Sequence, residues 1–256
     1  MSSLLDVRSL VKSFGGLRAV DECSFSVAAG SITALIGPNG AGKTTVFHLI
    51  SGLLHPDAGA IRFRGERVDG LRPHAVSQRG ITRTFQIPRE LERLTVLENV
   101  LVYGKGQSGE RLRAALFARP RFWREERALV GRADDILGLV QLSDLAHEYA
   151  AHLSGGQKKL LELARVLMAD PALVLLDEPG AGVNPALMSR LVEAIQTDNR
   201  RGRTFLVIEH DMDLVMTLSH HVIVMSQGRR LAEGSFAQIR RNDAVLDHYF
   251  GRVAAP

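Results

Sequence analysis

The sequence predicts an α/β fold that combines a mainly parallel sheet, an antiparallel β edge at the N-terminus and an inserted α-helical subdomain. Short apolar runs alternate with helical patterns, as in parallel strands joined by helices, at 31–37, 79–84, 172–177 and 203–209. From 87 to about 157 the pattern is helical and strand-like runs are absent. The first 30 residues alternate apolar and polar positions, which predicts two or three antiparallel strands added at one edge.

The first half of the chain carries local signals for four elements. The run at 31–37 is typical of a buried strand. A helix follows over 44–54, and Pro56 is expected to end it. The alternation over 59–68 predicts a strand at the edge of a sheet, and 79–86 predicts another strand.

The second half carries capping and turn signals. Thr95 and Glu98 stand at the spacing of a capping box, so a helix is predicted to begin there. Asn184 followed by Pro185 is a typical helix start. Residues 220–234 predict a β-hairpin.

Composition excludes some classes of function. The chain has 256 residues, 45% of them hydrophobic, and a net charge of +4. No run of 18 apolar residues suggests a membrane-spanning helix. Only 5% of residues are aromatic, so a stacking platform for single strands is not expected, and we expect no nucleic-acid partner. The single cysteine, Cys23, is expected to pack as a small apolar residue.

A glycine-rich loop follows the first buried strand. It fits the pattern G-x-x-x-x-G-K-[ST] and consists of Gly37, Pro38, Asn39, Gly40, Ala41, Gly42, Lys43 and Thr44, followed by Thr45. Glycines let backbone N–H groups wrap a polyphosphate, and the next helix points its positive end at the same group. Lys43 would add charge at the β and γ phosphates, and Thr44 a hydroxyl for Mg²⁺. The α/β core is therefore predicted to be a P-loop NTPase core.

A second motif, "LVLLDEP", supplies acids at the end of another apolar run. Asp177 can hold the Mg²⁺ shell, and Glu178 can polarise an attacking water. Both acids could instead cap a surface turn before Pro179, but the phosphate loop favours the functional interpretation.

A third motif, "LSGGQ", precedes an amphipathic helix. Its residues are Ser154, Gly155, Gly156 and Gln157, after Leu153. It could be no more than the N-cap of that helix, yet an exposed cluster of N–H groups is also an anion site. With "GPNGAGKTT" and "LVLLDEP" in order, the whole chain resembles the ATP-binding cassette (ABC) family, whose signature is this pentapeptide.

The resemblance implies a Mg-dependent ATPase that binds ATP. Phe14 lies where the family places an aromatic on the adenine, Gln86 where a glutamine contacts metal and water, and His210 where a histidine contacts the γ-phosphate. The signature of one subunit would act on the ATP of another, so a homodimer or a heterodimer with a second ATP-binding subunit is implied. Asn184 replaces a frequent aspartate, which puts that cross-subunit contact in doubt.

The resemblance also implies a domain plan. The chain 1–256 would be one nucleotide-binding domain, with a RecA-like core of 1–86 and 158–256 and a helical signature subdomain of 87–157. An arginine-rich stretch between Gly104 and Val140, containing Trp123, is either a solvated helix pair or a surface near the membrane.

That stretch, "EPGAGVNP" and the terminal "DHYFGR" are similar to ATP-binding subunits of branched-chain amino acid uptake systems. Such a subunit would lie peripherally on the cytoplasmic face of the inner membrane. Its partners would be integral-membrane permease subunits and, indirectly, a solute-binding protein. Urea or amide uptake, lipopolysaccharide export, a non-transport ABC ATPase and a small-molecule kinase remain alternatives, although a kinase has no reason to carry "LSGGQ".

Overall fold

The computed structural model describes residues 3–84, 91–104 and 119–249, and only the backbone of 119–124 and 247–249. The chain divides into two compact units. One unit contains the chain up to Arg83, Ala172–Gly180 and the chain from Asp198 on. The other contains Thr84–Pro171 and Ala181–Thr197. The domain plan with a helical subdomain of 87–157 stays a prediction.

The described strands all lie in the first unit. They are β1 (Ser3–Phe14), β2 (Leu17–Ala28), β3 (Ile32–Ile36), β4 (Ala58–Phe63), β5 (Glu66–Arg67), β6 (Ile81–Arg83), β7 (Leu173–Asp177), β8 (Thr204–Ile208), β9 (His221–Ser226) and β10 (Arg229–Gly234).

The described α-helices occur in both units. They are α1 (Lys43–Ile50), α2 (Pro73–Arg79), α3 (Val96–Leu101), α4 (Arg119–Leu139), α5 (Gly155–Met168), α6 (Pro185–Arg200), α7 (Met212–Leu218), α8 (Phe236–Ile239) and α9 (Asp243–Tyr249). None of the described helices is both long and apolar enough to cross a membrane.

The larger sheet has the strand order β10-β9-β3-β8-β7-β6. Every neighbouring pair is parallel except β9 and β10, which form the predicted hairpin. Strands β3, β7 and β8 are buried at every residue, because both faces of the sheet are covered. Their carboxyl ends place the glycine-rich loop, the acids of "LVLLDEP" and His210 at one edge of the sheet.

The N-terminal strands form a separate antiparallel sheet of order β2-β1-β4-β5. The predicted antiparallel strands at the N-terminus are confirmed, and they form a sheet of their own rather than pairing with an edge strand of the parallel sheet. Left-handed backbone at Ser9 and Glu22 and several register shifts interrupt the β1–β2 ladder, and bulges of this kind bend and twist a strand pair. One apolar cluster joins this sheet, α1 and the parallel sheet, so the two sheets share a core.

Glycine turns explain the other differences from the predicted elements. Helix α1 ends at Ile50 rather than near Pro56, because Gly52 takes a left-handed conformation (φ 75°) and its missing Cβ makes room for Leu71 O. The strand predicted over 59–68 is a hairpin, since Arg64 and Gly65 both have positive φ. The strand predicted from residue 79 begins at Ile81, after a helix that the sequence did not predict.

The second unit is helical, as predicted for this stretch. The capping box at the start of α3 is confirmed: the Thr95 hydroxyl accepts from Glu98 N, and Thr95 N donates to the Glu98 carboxylate. Buried Asn99 on the same helix joins four backbone groups. Its amide donates to the carbonyls of Leu91, Leu94 and Thr95, and its oxygen accepts from Leu91 N. The loop before α3 is thereby tied to the helix.

Candidate functional site

The glycine-rich loop joins β3 to α1 and is built on left-handed backbone. Gly37 has φ 153° and Gly42 φ 94°. A Cβ on Gly37 would lie 2.2 Å from Met225 O, and one on Gly42 would lie 2.4 Å from Ala19 O. Only glycine fits at both places, so the loop backbone has to lie against its neighbours without side chains.

Backbone hydrogen bonds also tie the loop to its surroundings. Gly228 N, in the β9–β10 turn, donates to Ala41 O over 3.2 Å. Gly228 O in turn accepts from Asp21 N on β2 over 2.9 Å. The loop, the hairpin turn and the N-terminal strand therefore form one chain of backbone contacts.

The N-terminus of α1 carries no cap. Gly42 at the N-cap has no side chain to bond the first amides, and the first turn contains no acidic residue. Pro38, Asn39, Gly40 and Thr44 are exposed, and Thr45 is half-buried. An uncapped positive helix end beside a glycine loop is suited to an anion.

Lys43 is buried, and its ammonium folds back over the loop. Its Nζ donates to Gly37 O at 2.8 Å and to Pro38 O at 3.0 Å. Burial lowers the pKa of Lys43, and the carboxylates of Glu178 and Asp177 act in the opposite direction. The ammonium thus bonds to the carbonyls of the loop and is also attracted by the charges of the two acids.

Asp177 is the last residue of β7 and is 3% exposed. Its Oδ2 accepts a hydrogen bond from Arg83 Nη2 at 2.6 Å. A buried carboxylate at the end of this strand is an oxygen ligand of the kind that Mg²⁺ takes, typically one or two from the protein together with phosphate oxygens. Among the described residues no group of three His, Cys, Asp or Glu side chains is arranged to hold a metal ion.

Sequence reasoning missed Arg83. It is nearly buried, and among the described residues its Nε and Nη1 atoms have no hydrogen-bond partner. Its guanidinium lies 5.9 Å from the Phe47 ring centroid. An arginine in a strand expected to be buried was the available signal, because such a charge needs a partner.

Glu178 and His210 approach each other. Glu178 Oε1 lies 3.8 Å from His210 Nδ1, and the histidine is largely exposed. Glu178 has a left-handed backbone (φ 48°), held by a hydrogen bond from its N–H to Ile208 O. Such a conformation costs about 1–3 kcal/mol in a non-glycine residue and is concentrated at functional sites.

The "LSGGQ" residues lie in the second unit. Ser154 caps α5, with a reciprocal bond between its backbone N–H and the Gln157 side chain. Ser154 and Gly155 are exposed, and a Cβ on Gly155 would meet open space. Gly156 is buried against Leu187, where a Cβ would lie 2.5 Å from Leu187 Cδ1. The helix therefore presents its N-cap and its first residue outward.

The remaining predicted site residues lie at the ends of elements or outside the described residues. Phe14 is 46% exposed at the end of β1 and is not a core residue. Asn184 caps α6, since its Oδ1 accepts from Leu187 N at 2.9 Å. Gln86 and part of the arginine-rich stretch lie outside the described residues, and so does the side chain of Trp123. Within the first unit, the structure brings together Lys43, Asp177, Glu178 and His210.

Comparison with known proteins identifies strong similarity along the chain. Residues 20–181 match the family model described as ABC transporter. The high-affinity branched-chain amino acid transport ATP-binding proteins of Pseudomonas aeruginosa and Escherichia coli K12 are 41% and 39% identical. Each alignment covers 98% of this chain and 98% of the relative.

Solved structures of ATP-binding cassettes are similar to this chain as well. The ADP conformation of an ATP-binding cassette of an ABC transporter superposes with a TM-score of 0.84 at 37% identity, covering 98% of this chain and all of the other. A nucleotide-free cassette gives a TM-score of 0.83 at 36% identity, covering 97% of this chain and 99% of the other. Both structures are described as parts of ABC transporters.

Proposed function

Because the chain belongs to the ABC transporter family, we propose that it is the ATP-hydrolysing subunit of an importer for branched-chain or other amino acids. The observation that carries the substrate class is identity of 39–41% with amino acid transport ATP-binding proteins over nearly the whole length. The transported solute would be selected by integral-membrane permease subunits and, through them, by a solute-binding protein. The chain would then lie peripherally on the cytoplasmic face of the membrane.

Different residues of the chain would bind the phosphates and the adenine of ATP. The backbone of Gly37–Thr45 would hold the phosphates, and Lys43 would turn its ammonium from the loop carbonyls to the β and γ oxygens. The exposed ring of Phe14 would stack on the adenine.

The hydrolytic step would depend on Glu178 and His210. Thr44, Asp177 and Gln86 would hold Mg²⁺, which when bound supplies charge stabilisation at the phosphate oxygens. Glu178 would accept a proton from the attacking water, and His210 would orient the γ-phosphate beside it. The left-handed backbone at Glu178 supports this role, because such conformations in non-glycine residues are concentrated at functional sites.

A second copy, or a related subunit, would complete the site. Residues Ser154–Gln157 of one chain would close over the nucleotide in the cradle of the other, consistent with the exposure of Ser154 and Gly155. Nucleotide bound at such an interface stabilises only the closed dimer, so ATP shifts the population toward it. Hydrolysis removes the γ-phosphate contacts and favours opening, which would move the permease.

The test uses two variants. Glu178→Gln should bind ATP without hydrolysing it and should form a dimer in saturating ATP, measured by sedimentation velocity. Lys43→Ala should lose tight nucleotide binding and remain monomeric. A Glu178→Gln protein that stays monomeric with bound ATP would contradict the dimer.

The substrate class needs a separate experiment. Cells lacking this chain should lose high-affinity uptake of radiolabelled leucine and regain it with the wild-type chain but not with Glu178→Gln. Loss of urea uptake with normal leucine uptake would favour the amide-transport alternative. Normal uptake of both, with ATPase activity intact, would favour a different transported solute or a non-transport role.

A further inference from the structure

Glu209 is a buried carboxylate between two catalytic segments. It follows β8 directly, precedes His210 and is 2% exposed. Within the part of the chain that the structure describes, no lysine or arginine forms an ion pair with it; the one nearby cation-forming group is His210 Nδ1, at 4.0 Å. A buried carboxylate without a charged partner must be satisfied by other hydrogen-bond donors.

Backbone amides provide those donors. Gly180 N donates to Glu209 Oε1 at 2.8 Å, and His210 N donates to Oε2 at 3.1 Å. The Asp211 amide also contributes. The Asp211 side chain is engaged elsewhere, because it caps α7 through Asp213 N and Leu214 N. The two oxygens of Glu209 therefore bond to two different segments of the chain.

These segments carry the reacting side chains. Gly180 is two residues after Glu178, and His210 is itself the partner of Glu178 across 3.8 Å. Glu178 N also donates to Ile208 O, one residue before Glu209. The Glu209 carboxylate is thus a side-chain link between the backbone that follows Glu178 and the backbone of His210.

Burial raises the pKa of Glu209, and the backbone amides of Gly180, His210 and Asp211 act in the opposite direction. A carboxylate surrounded by fixed N–H dipoles holds its neighbours in one geometry, because any displacement leaves a buried polar group unpaired.

We propose that Glu209 is a positioning residue that fixes the distance between Glu178 and His210 by bonding the backbone of both segments. Its carboxylate acts through the backbone of those two segments. The inference rests on the catalytic roles proposed above for Glu178 and His210.

Glu209→Gln tests the link with little change of shape. The amide keeps one acceptor oxygen but turns an NH₂ group toward one of the two backbone donors, so one segment loses its bond. We expect kcat for ATP hydrolysis to fall between about tenfold and a hundredfold, as small misplacements of reacting groups do, with KM for ATP within about twofold. Glu233→Gln makes the same chemical change at an exposed acid of β10 and should leave both constants unchanged.

Amide hydrogen exchange gives a readout that does not depend on activity. In Glu209→Gln, peptides covering 178–182 or 209–212 should lose protection, whereas peptides of β3 and α1 should not change. Should Glu209→Gln fail to fold, Glu209→Asp keeps the charge but withdraws it by one methylene and should show the same loss of kcat and protection.

The outcomes separate the two proposals. A wild-type protein without ATPase activity would overturn the proposed function, while exchange would still decide the role of Glu209. Full activity and full protection in the Glu209 variants, with Glu178→Gln inactive, would overturn the positioning role alone.

Discussion

Replacing Gly155 by alanine separates stability from function at the start of α5. Gly155 is the first residue of the helix, it is exposed, and its backbone φ is not positive. Apart from its chain neighbours and its own helix backbone, an added methyl group would meet no atom of the described residues within 4 Å. Alanine should therefore be tolerated and should stabilise the chain by about 0.5–1 kcal/mol, through helix propensity and lower entropy of the unfolded state. That gain corresponds to a rise in Tm of roughly 1–4 °C.

The same methyl group should harm activity. If the phosphates of a partner's nucleotide approach the N-terminus of α5, backbone must come close to them, and a Cβ at residue 155 occupies that space. We expect ATPase activity to fall about tenfold or more, and Glu178→Gln combined with Gly155→Ala to stay monomeric at ATP concentrations that dimerise Glu178→Gln.

Gly131→Ala is the matched control. Gly131 lies within α4, is exposed and also has open space at its Cβ, so alanine should raise Tm similarly and leave basal ATPase activity unchanged. Thermal unfolding and steady-state hydrolysis measure both effects. Normal activity and normal dimerisation in the Gly155 variant would refute the idea that nucleotide contacts this helix end.

Four further outcomes are expected. Gly42→Ala forces a Cβ to 2.4 Å from a carbonyl oxygen on left-handed backbone, and should abolish ATP binding in equilibrium dialysis. Cys23 is fully buried, and burial raises its pKa to about 11, so iodoacetamide should label it at pH 8 only after denaturation. Asn99→Ala strands several backbone groups and should cost about 2–4 kcal/mol in urea unfolding. Burial opposes ionisation of Asp69, but hydrogen bonds from Arg67 and a backbone amide lower its pKa. The ionised carboxylate therefore stabilises the folded chain above the ordinary carboxyl pKa, and this stabilisation is lost as the pH falls through the lowered pKa of the folded state. Asp69→Asn should cost about 1 kcal/mol of unfolding free energy at pH 7 and little in acid.

The cradle and the catalytic acids were predictable from sequence because their chemistry is local. A phosphate-binding loop between a strand and a helix can be recognised from a few consecutive residues, here Gly37, Gly42 and Lys43. The capping boxes at Thr95 and Ser154 are equally local, and the latter predicts an exposed helix start that the structure contains.

The features that were missed depend on distant parts of the chain. Arg83 finds its partner Asp177 94 residues away, and Glu209 bonds an amide 29 residues away. Nothing in the sequence around Asn99 indicates that its side chain bonds to the backbone of the loop before α3. Such roles depend on which strands are neighbours in the sheet. The strand order β3-β8-β7-β6 is set by the whole chain and cannot be predicted from the propensity of any one segment.

The contact of Ala41 with the hairpin turn, and of that turn with β2, has a consequence for truncation. All three motifs lie after Ala28, so a shortened chain beginning there would still carry every recognised signature. It would lack Ala19 and Asp21, the first against Gly42 and the second bonded to Gly228. Such a fragment would keep the sequence motifs of the nucleotide site but lose the β2 contacts that hold the backbone of the loop in its conformation.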